Sequence, residues 1–305
     1  MKSLFFAALL ASGSAAACDA PPPAVIDIVA NSYYSDSHHS VIDPARRASN
    51  IAHTKPIEDF LGHVAQDANG GDAACGLAWL AGWAGQKALL GKASSEQAYY
   101  VRKWTLGGLA LNYARIQAQA APAQRQAIEA WLRALADEVV AHADAHKGGR
   151  NNHYYWEGLA VTAVGAVTGD RRYQDWGRAV FAYAMGQMAP DGALPAEMER
   201  AAKALHYQVY AATPLVMMAS ILDLHDPRLD RLVAFTVAAS ADPSGIARRT
   251  GVAQEPAGSA EVSAIYDRHA GRPQAAVAGR LWQPRLGGDL RTPNPLEHPR
   301  TAQPQ

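Results

Sequence analysis

The sequence predicts an all-α protein, a two-layered toroid of antiparallel helix pairs. Three observations carry that expectation. Between residues 73 and 241 nearly every segment is rich in Ala and Leu or repeats its apolar residues three and four apart. No alternating, strand-like runs separate those segments. The connections are short and hold Gly, Pro or Asp, so successive helices should lie antiparallel as neighbours.

The elements follow in order. "AACGLAWLAGWAGQKALL" has no β-branched run and reads as helix, as does "EQAYYVRKWTLGGLALNYARIQAQ". The next helix starts at Pro122, where a missing N–H costs nothing, and stops before Gly148 and Gly149. Ile128, Trp131, Leu132, Leu135 and Val139 form its apolar stripe. "YYWEGLAVTAVGAVTG" and "RRYQDWGRAVFAYAMGQM" are a helix pair across a Gly-Asp turn, and "PDG" at 190–192 is another turn. The helix toward "SILDL" contains Pro214, so a kink or break is expected there. "PRLDRLVAFTVAASA" is the last clear helix; beyond residue 242 the chain reads as irregular. Residues 31–56 lack periodicity and read as an exposed loop of the kind that serves as a lid.

The first residues predict export. Lys2 is a positive n-region, "LFFAALLA" an apolar core too short to span a bilayer, and "SAAAC" a small-residue cleavage site. Residues 1–17 are therefore expected to be a signal peptide, 18–290 a single domain and 291–305 a disordered tail. The expected location is the periplasm, with no membrane attachment once the signal is removed; secretion, or a lipoprotein acylated on Cys18, is the alternative. Cys18 and Cys75 are the two cysteines, and in an oxidising compartment such a pair is expected to be a disulfide. The loop it closes is worth about 4 kcal/mol.

The formal net charge of +0 excludes a global field for polyanions, so any such partner must be held by a local basic patch. Polar and aromatic residues gather in four stretches where a helical core has no need of them. These are "SYYSDSHHSVIDP" (32–44), "YYVRKW" (99–104), "RNNHYYW" (150–156) and "LPAEMERAAKALHYQVYAATPL" (194–215). If the last is one helix, Arg200, Lys203 and Tyr207 share a face, with Arg200 and Tyr207 roughly 10 Å apart along the axis. A Tyr beside guanidinium and imidazole groups is expected to ionise more readily than a free phenol. Each residue also has a plainer reading: Asn151 as a helix cap, Asn152 and His153 as capping or structural groups, Arg200 in a surface ion pair, Tyr207 in the core. His38 and His39 lack companions at ligand spacing, so no metal or other cofactor is expected.

"NNHYYW" resembles the Asn-Asn-His-Ser-Tyr-Trp signature of the alginate lyases of polysaccharide lyase family 5. "RAAKALHYQVYAATPL" is similar to the segment in which that family places an Arg seven residues before the Tyr of a His-Tyr pair. "RKWTLGGLA" and "RLGGDL" resemble two further stretches, so the likeness spans most of the mature chain. It implies an incomplete (α/α) barrel and β-elimination on a uronate polymer, chiefly mannuronate-rich alginate. The expected partner is thus an anionic polysaccharide, with no nucleic acid, and the expected state is a monomer. The likeness also implies roles: Asn152 and Arg200 on the substrate carboxylate, His153 beside them, Tyr207 at the scissile linkage, and Tyr33 or Tyr34 on a lid over the sugar. Tyr155 and Trp156 are expected to pack or stack behind Asn152 and His153, Trp156 within reach of substrate. Trp104 with Arg102 reads either as sugar platform and carboxylate clamp or as a buried Trp and a solvated Arg; Arg285 either contacts substrate or holds the C-terminal segment.

The chemistry requires such groups. The C5 proton of a uronate is too weakly acidic to leave unless donors let the carboxylate accept enolate character. A base must then take that proton and an acid must protonate the leaving O4. Val209 departs from the family's usual Asn, and residues 245–280 align poorly with it. Competing readings are a lyase on another uronate polymer such as polyglucuronate, and a non-catalytic polysaccharide-binding protein. A hydrolase would need two flanking carboxylates, for which Asp191, Glu197 and Glu199 are weak candidates.

Overall fold

The structure is a computed structural model that describes residues 18–37, 41–146, 150–273 and 281–298. The expected signal peptide and His38 and His39 lie outside the described residues. Eleven α-helices are described: α1 Pro44–Ala68, α2 Ala73–Gly85, α3 Glu96–Ile116, α4 Pro122–Ala145, α5 Asn152–Thr168, α6 Arg171–Gln187, the one-turn α7 Pro195–Met198, α8 Ala204–Leu222, α9 Pro227–Ala241, α10 Ser244–Thr250 and α11 Ala260–His269. Two short strands, β1 Trp282–Gln283 and β2 Gly288–Asp289, pair antiparallel near the C-terminus.

Alternate helices are neighbours. α1 packs on α3, α3 on α5, α5 on α8 and α8 on α11. That run forms an inner layer, while α2, α4, α6 and α9 lie outside it, each against its chain neighbours. The architecture is an incomplete (α/α) toroid of antiparallel helix pairs, as the residue pattern predicts. α5 and α8 are buried along nearly their whole length, which is why their sequences are apolar on every side. Gly158 is the contact point of three helices: a Cβ there would lie 2.6 Å from Val180 Cγ1 and 2.8 Å from Met218 Sδ. The stripe Ile128, Trp131, Leu132, Leu135 and Val139 is buried along α4 as expected. α8 runs unbroken through Pro214.

Three expectations are corrected. Residues 44–56 are not loop but the first half of α1, capped by the Asp43 carboxylate on the N–H groups of Ala45 and Arg46, with Pro44 at the first position. Its apolar stripe, Ile57, Phe60, Leu61 and Val64, begins only after Pro56. The polar first half therefore carried no periodic signal. Beyond residue 242 the chain forms two short helices, α10, which buries only Ile246, and α11, which packs Val262, Ile265 and Tyr266 inward. Residues 291–298 do not fray. Glu297 forms a buried ion pair with Arg268 (Oε2 to Nε 2.9 Å), and the Asn294 side chain donates to the Leu111 carbonyl at 2.8 Å. The second stretch of chain is long-range packing that no local pattern encodes.

Cys18 and Cys75 are joined as a disulfide. The chain after it runs back over α2, where Trp79 and Trp83 donate their indole N–H groups to the carbonyls of Asp19 and Pro22. This strap leads into the segment that bears Tyr33 and Tyr34. Among the described residues no helix is long and apolar enough to cross a membrane.

Candidate active site

The inner helices α1, α3, α5 and α8 turn their N-terminal halves toward one cleft of about 610 Å3. Their aligned peptide dipoles make that end of the toroid attractive to anions. α1 contributes Arg47, Lys55 and Glu58; α3 contributes Glu96, Tyr100 and Trp104. His153 comes from the first turn of α5, and His206, Tyr207 and Tyr210 from that of α8. Tyr33 and Tyr34 form one wall, Arg200 and Arg285 two others.

Arg200 is not on the helix that carries Tyr207. It lies in a turn, followed by Ala201 at φ +49, a left-handed conformation that a non-glycine residue adopts only when its surroundings hold it there. Gln254 does so from outside: its amide donates to the Ala201 carbonyl at 3.0 Å and accepts the Leu205 N–H at 3.0 Å. The break folds Arg200 back onto its neighbour, its guanidinium 3.8 Å from the centre of the Tyr207 ring. The expected axial separation of two helical turns is thus replaced by direct stacking. Nε and Nη2 of Arg200 are buried and have no protein hydrogen-bond partner.

The Tyr207 hydroxyl donates to the Tyr34 hydroxyl at 3.2 Å, which settles which lid tyrosine stands over it. Tyr33 lines the cleft beside it, its ring 4.7 Å from that of Tyr34. The lid returns on itself through a bridge between Tyr34 and Ile42 and the bond from Asp43 N–H to the Tyr33 carbonyl. Burial, then the contact with Tyr207, pushes the Tyr34 phenol up, so it stays protonated. Burial does the same to Tyr100 and Tyr210. Gln208, next to Tyr207, is fully buried and bonds Leu194 N–H, the Gly192 carbonyl and Thr236, which fixes the start of α8.

Asn152 is fully buried beneath the floor. Its backbone N–H and side-chain amide donate to the two oxygens of Glu197 at 2.7 and 2.8 Å. Burial pushes the Glu197 carboxyl up to about 7 against those bonds and the charge of Arg200. His153, next in sequence, reaches the cleft with its ring stacked 3.6 Å from Tyr100.

Residues 27–246 match the family described as Alginate lyase. The chain belongs to that family. A polysaccharide lyase of Stenotrophomonas maltophilia (strain K279a) is 41% identical over 286 residues, covering 87% of this chain and 86% of that one. An alginate lyase of Azotobacter vinelandii is 31% identical over 299 residues, with 87% and 80% covered. Among solved structures, a histidine-to-alanine variant of alginate lyase A1-III complexed with tetrasaccharide superposes with a TM-score of 0.77 at 25% identity, covering 94% of this chain and 86% of that chain. Alginate lyase A1-III from Sphingomonas species A1 gives 0.74, again at 25% identity, covering 92% and 86%.

In this alginate lyase chain the expected site residues divide. His153, Arg200, Tyr207, Tyr33, Tyr34, Trp104 and Arg285 line the cleft. Arg102 does not: it is 2% exposed and its guanidinium donates to the carbonyls of Leu89 (3.0 Å) and Gly91 (2.8 Å), closing the turn after α2. Two residues along a helix is about 200° of rotation, so Arg102 faces away from the side shared by Tyr100 and Trp104. Trp156 is buried behind the cleft, its indole donating to the Tyr210 carbonyl at 3.0 Å and so tying α5 to α8. Asn152 acts on Glu197, not on the open cleft. Arg285 reaches the site because α3 carries Gly108, where a Cβ would sit 2.9 Å from the Pro284 carbonyl oxygen. Its guanidinium lies 4.8 Å from the Trp104 ring and pairs with Glu58.

The residue pattern does not single out Arg47, Lys55 and Glu58, because the polar first half of α1 has no apolar periodicity. The signal was present in the Asp43-Pro44 cap and in Lys55 and Asp59 at i, i+4, which form an ion pair. Tyr100 and Lys103 lie within the stretch 99–104, but their partner His153 comes from another helix.

Proposed function

We propose that this protein degrades alginate by β-elimination, with mannuronate-rich blocks as preferred substrate. The observation that carries the reading is the stacked Arg200–Tyr207 pair: a guanidinium with two unpartnered nitrogens against the ring of a cleft tyrosine. A uronate carboxylate supplies the acceptors those nitrogens lack, and a planar fork suits it. With that group on Arg200, the ring's C5 hydrogen and O4 fall near the Tyr207 oxygen. Arg200 stabilises the negative charge that moves onto the carboxylate as C5 loses its proton to Tyr207, which enters this step as the phenolate and leaves it as the phenol. The C5 electrons then form the C4–C5 double bond, the C4–O4 bond breaks, and the same proton passes from Tyr207 to O4. The Tyr34 hydroxyl, which accepts from Tyr207 in the resting site and is held protonated, can turn its own proton toward the Tyr207 oxygen once that oxygen is ionised. Asn152 enters through Glu197, whose carboxylate holds the first turn of α5 and so the place of His153.

One oxygen can perform both transfers only where C5–H and O4 lie on the same face of the ring, as in mannuronate. Guluronate presents them on opposite faces and requires a second group, for which His153, which also lines the cleft, is the candidate. The test is to incubate the purified protein with polymannuronate and polyguluronate blocks and follow the ultraviolet absorbance of the unsaturated uronate. Faster release from mannuronate is expected, with His153→Ala harming guluronate cleavage more. Comparable initial rates on the two blocks would remove the one-face argument. The second reading is a lyase on another uronate such as polyglucuronate, favoured by the 41%-identical relative, described as a polysaccharide lyase without mention of alginate. We place the protein in the periplasm as a monomer. In support, the Cys18 sulfur is engaged with Cys75, a bond suited to an oxidising compartment.

A further inference from the structure

We propose that Lys103, which lies outside the cleft, is a positioning residue of this site: its buried ammonium braces the Tyr100–His153 ring pair, and loss of that brace sets the alkaline limit of turnover. The inference rests on the lyase reading above.

Lys103 is 1% exposed and sits between α3 and α5. Its Nζ donates to the His153 carbonyl at 2.9 Å and to Glu157 Oε1 at 3.1 Å. It also lies 4.3 Å from the centre of the Tyr100 ring, within cation–π range. The ammonium therefore holds one member of the ring pair by its backbone and the other by its π face. The two rings are nearly parallel, 13° apart at 3.6 Å, and both line the cleft. Nothing in the packing of two helices requires a cation there; apolar side chains of equal volume commonly serve as well or better. What an apolar pair could not supply is the double hold on Tyr100 and His153.

The charged and titratable groups facing this ammonium are Glu157 from α5 and Glu96 and Tyr100 from α3. Glu96 in turn pairs with His142 of α4. Burial pushes the Lys103 ammonium down to about 8 although Glu157 and Glu96 favour its charge. Deprotonation leaves Glu157, itself 7% exposed, without its countercharge and removes the attraction to the Tyr100 ring. The imidazole of His153 then loses the surface that orients it.

The test measures kcat and KM on polymannuronate from pH 6 to 10 for the wild type, Lys103→Arg and the double variant Lys103→Met with Glu157→Leu, with thermal unfolding of each. The double variant removes both charges and so leaves no buried ion behind. Expected are a wild-type alkaline limb near pH 8, a limb moved up by at least one unit in Lys103→Arg, and a folded double variant with kcat down tenfold or more, KM within threefold and no limb near 8. A purely structural Lys103 would lower stability and leave the pH profile in place. Wild-type kcat in the double variant, or an unmoved limb in Lys103→Arg, overturns the proposal. If the wild type forms no unsaturated product from any uronate, it is the lyase reading that fails. The brace is then read by NMR from the His153 ring resonance, identified by its loss in His153→Gln. That resonance should shift through pH 8 in the wild type and stay fixed in the double variant; a shift in both overturns the proposal.

Discussion

Arg200→Leu should separate activity from stability. In the structure the guanidinium gives two nitrogens, Nε and Nη2, that are buried without a partner. Each unsatisfied buried donor costs about 1–3 kcal/mol. Against that, the side chain gains a cation–π contact 3.8 Å from the Tyr207 ring, worth about 1–2 kcal/mol where desolvated. Leu keeps apolar contact with the ring and removes both orphaned donors. It also removes a charge that favours ionised Glu197, so the carboxyl of that residue rises further and carries its proton more often. Removing two orphaned donors offsets or outweighs the lost contact, so the fold should be at least as stable as the wild type and Tm should not fall. Turnover behaves otherwise. The two nitrogens meet an acceptor only when a substrate carboxylate arrives, and their bonds tighten as charge moves onto it. Loss of one such donor typically costs ~100- to 1,000-fold in kcat, and Arg200→Leu removes at least that. Thermal unfolding and the ultraviolet product assay are run on the same preparation. A large fall in Tm together with the loss of activity would show that Arg200 supports the fold, and that its buried nitrogens are not reserved for substrate.

Tyr207→Phe keeps the ring under Arg200 and deletes one hydroxyl whose protein partner is Tyr34, so stability should change by only about 1 kcal/mol while kcat falls ~1,000-fold or more and substrate binding persists; a kcat within tenfold of wild type removes Tyr207 from proton transfer. Glu197→Gln should flatten the pH dependence of stability. The folded carboxyl, raised from the ordinary 4.5 to about 7, keeps a proton that the unfolded chain has released. Its contribution is therefore present below 4.5 and is lost as pH rises through 7, a swing of roughly 3 kcal/mol at most. Urea titrations at pH 4.5 and 8 should show that difference in the wild type and not in the variant, and parallel curves would refute it. Cys75→Ser opens a bridge between residues 57 apart and should cost about 4 kcal/mol, read as an equal loss in the wild type on reduction and no further loss in the variant.

Helical class and most helix boundaries follow from local physics: apolar residues at helical spacing, Pro at first turns and short Gly- or Asp-bearing connections act within a few residues of each other, so they are legible in the chain. That His153, Arg200 and Tyr207 share one cleft was legible too, because polar and aromatic residues gather in those stretches where a helical core has no need of them. What the residues could not reveal was geometry set at long range. Arg200 stacks on Tyr207 because Gln254, some fifty residues on, holds Ala201 in a conformation that local preferences oppose. Asn152 is drawn beneath the floor by Glu197, and Arg102 is turned away by the carbonyls of Leu89 and Gly91. The polar half of α1 acquires meaning only when Arg47, Lys55 and Glu58 meet the other helices around the cleft. The deciding interactions in each case are hydrogen bonds and charges between elements that are neighbours only in three dimensions, and their partners are undefined until the apolar faces have assembled the toroid.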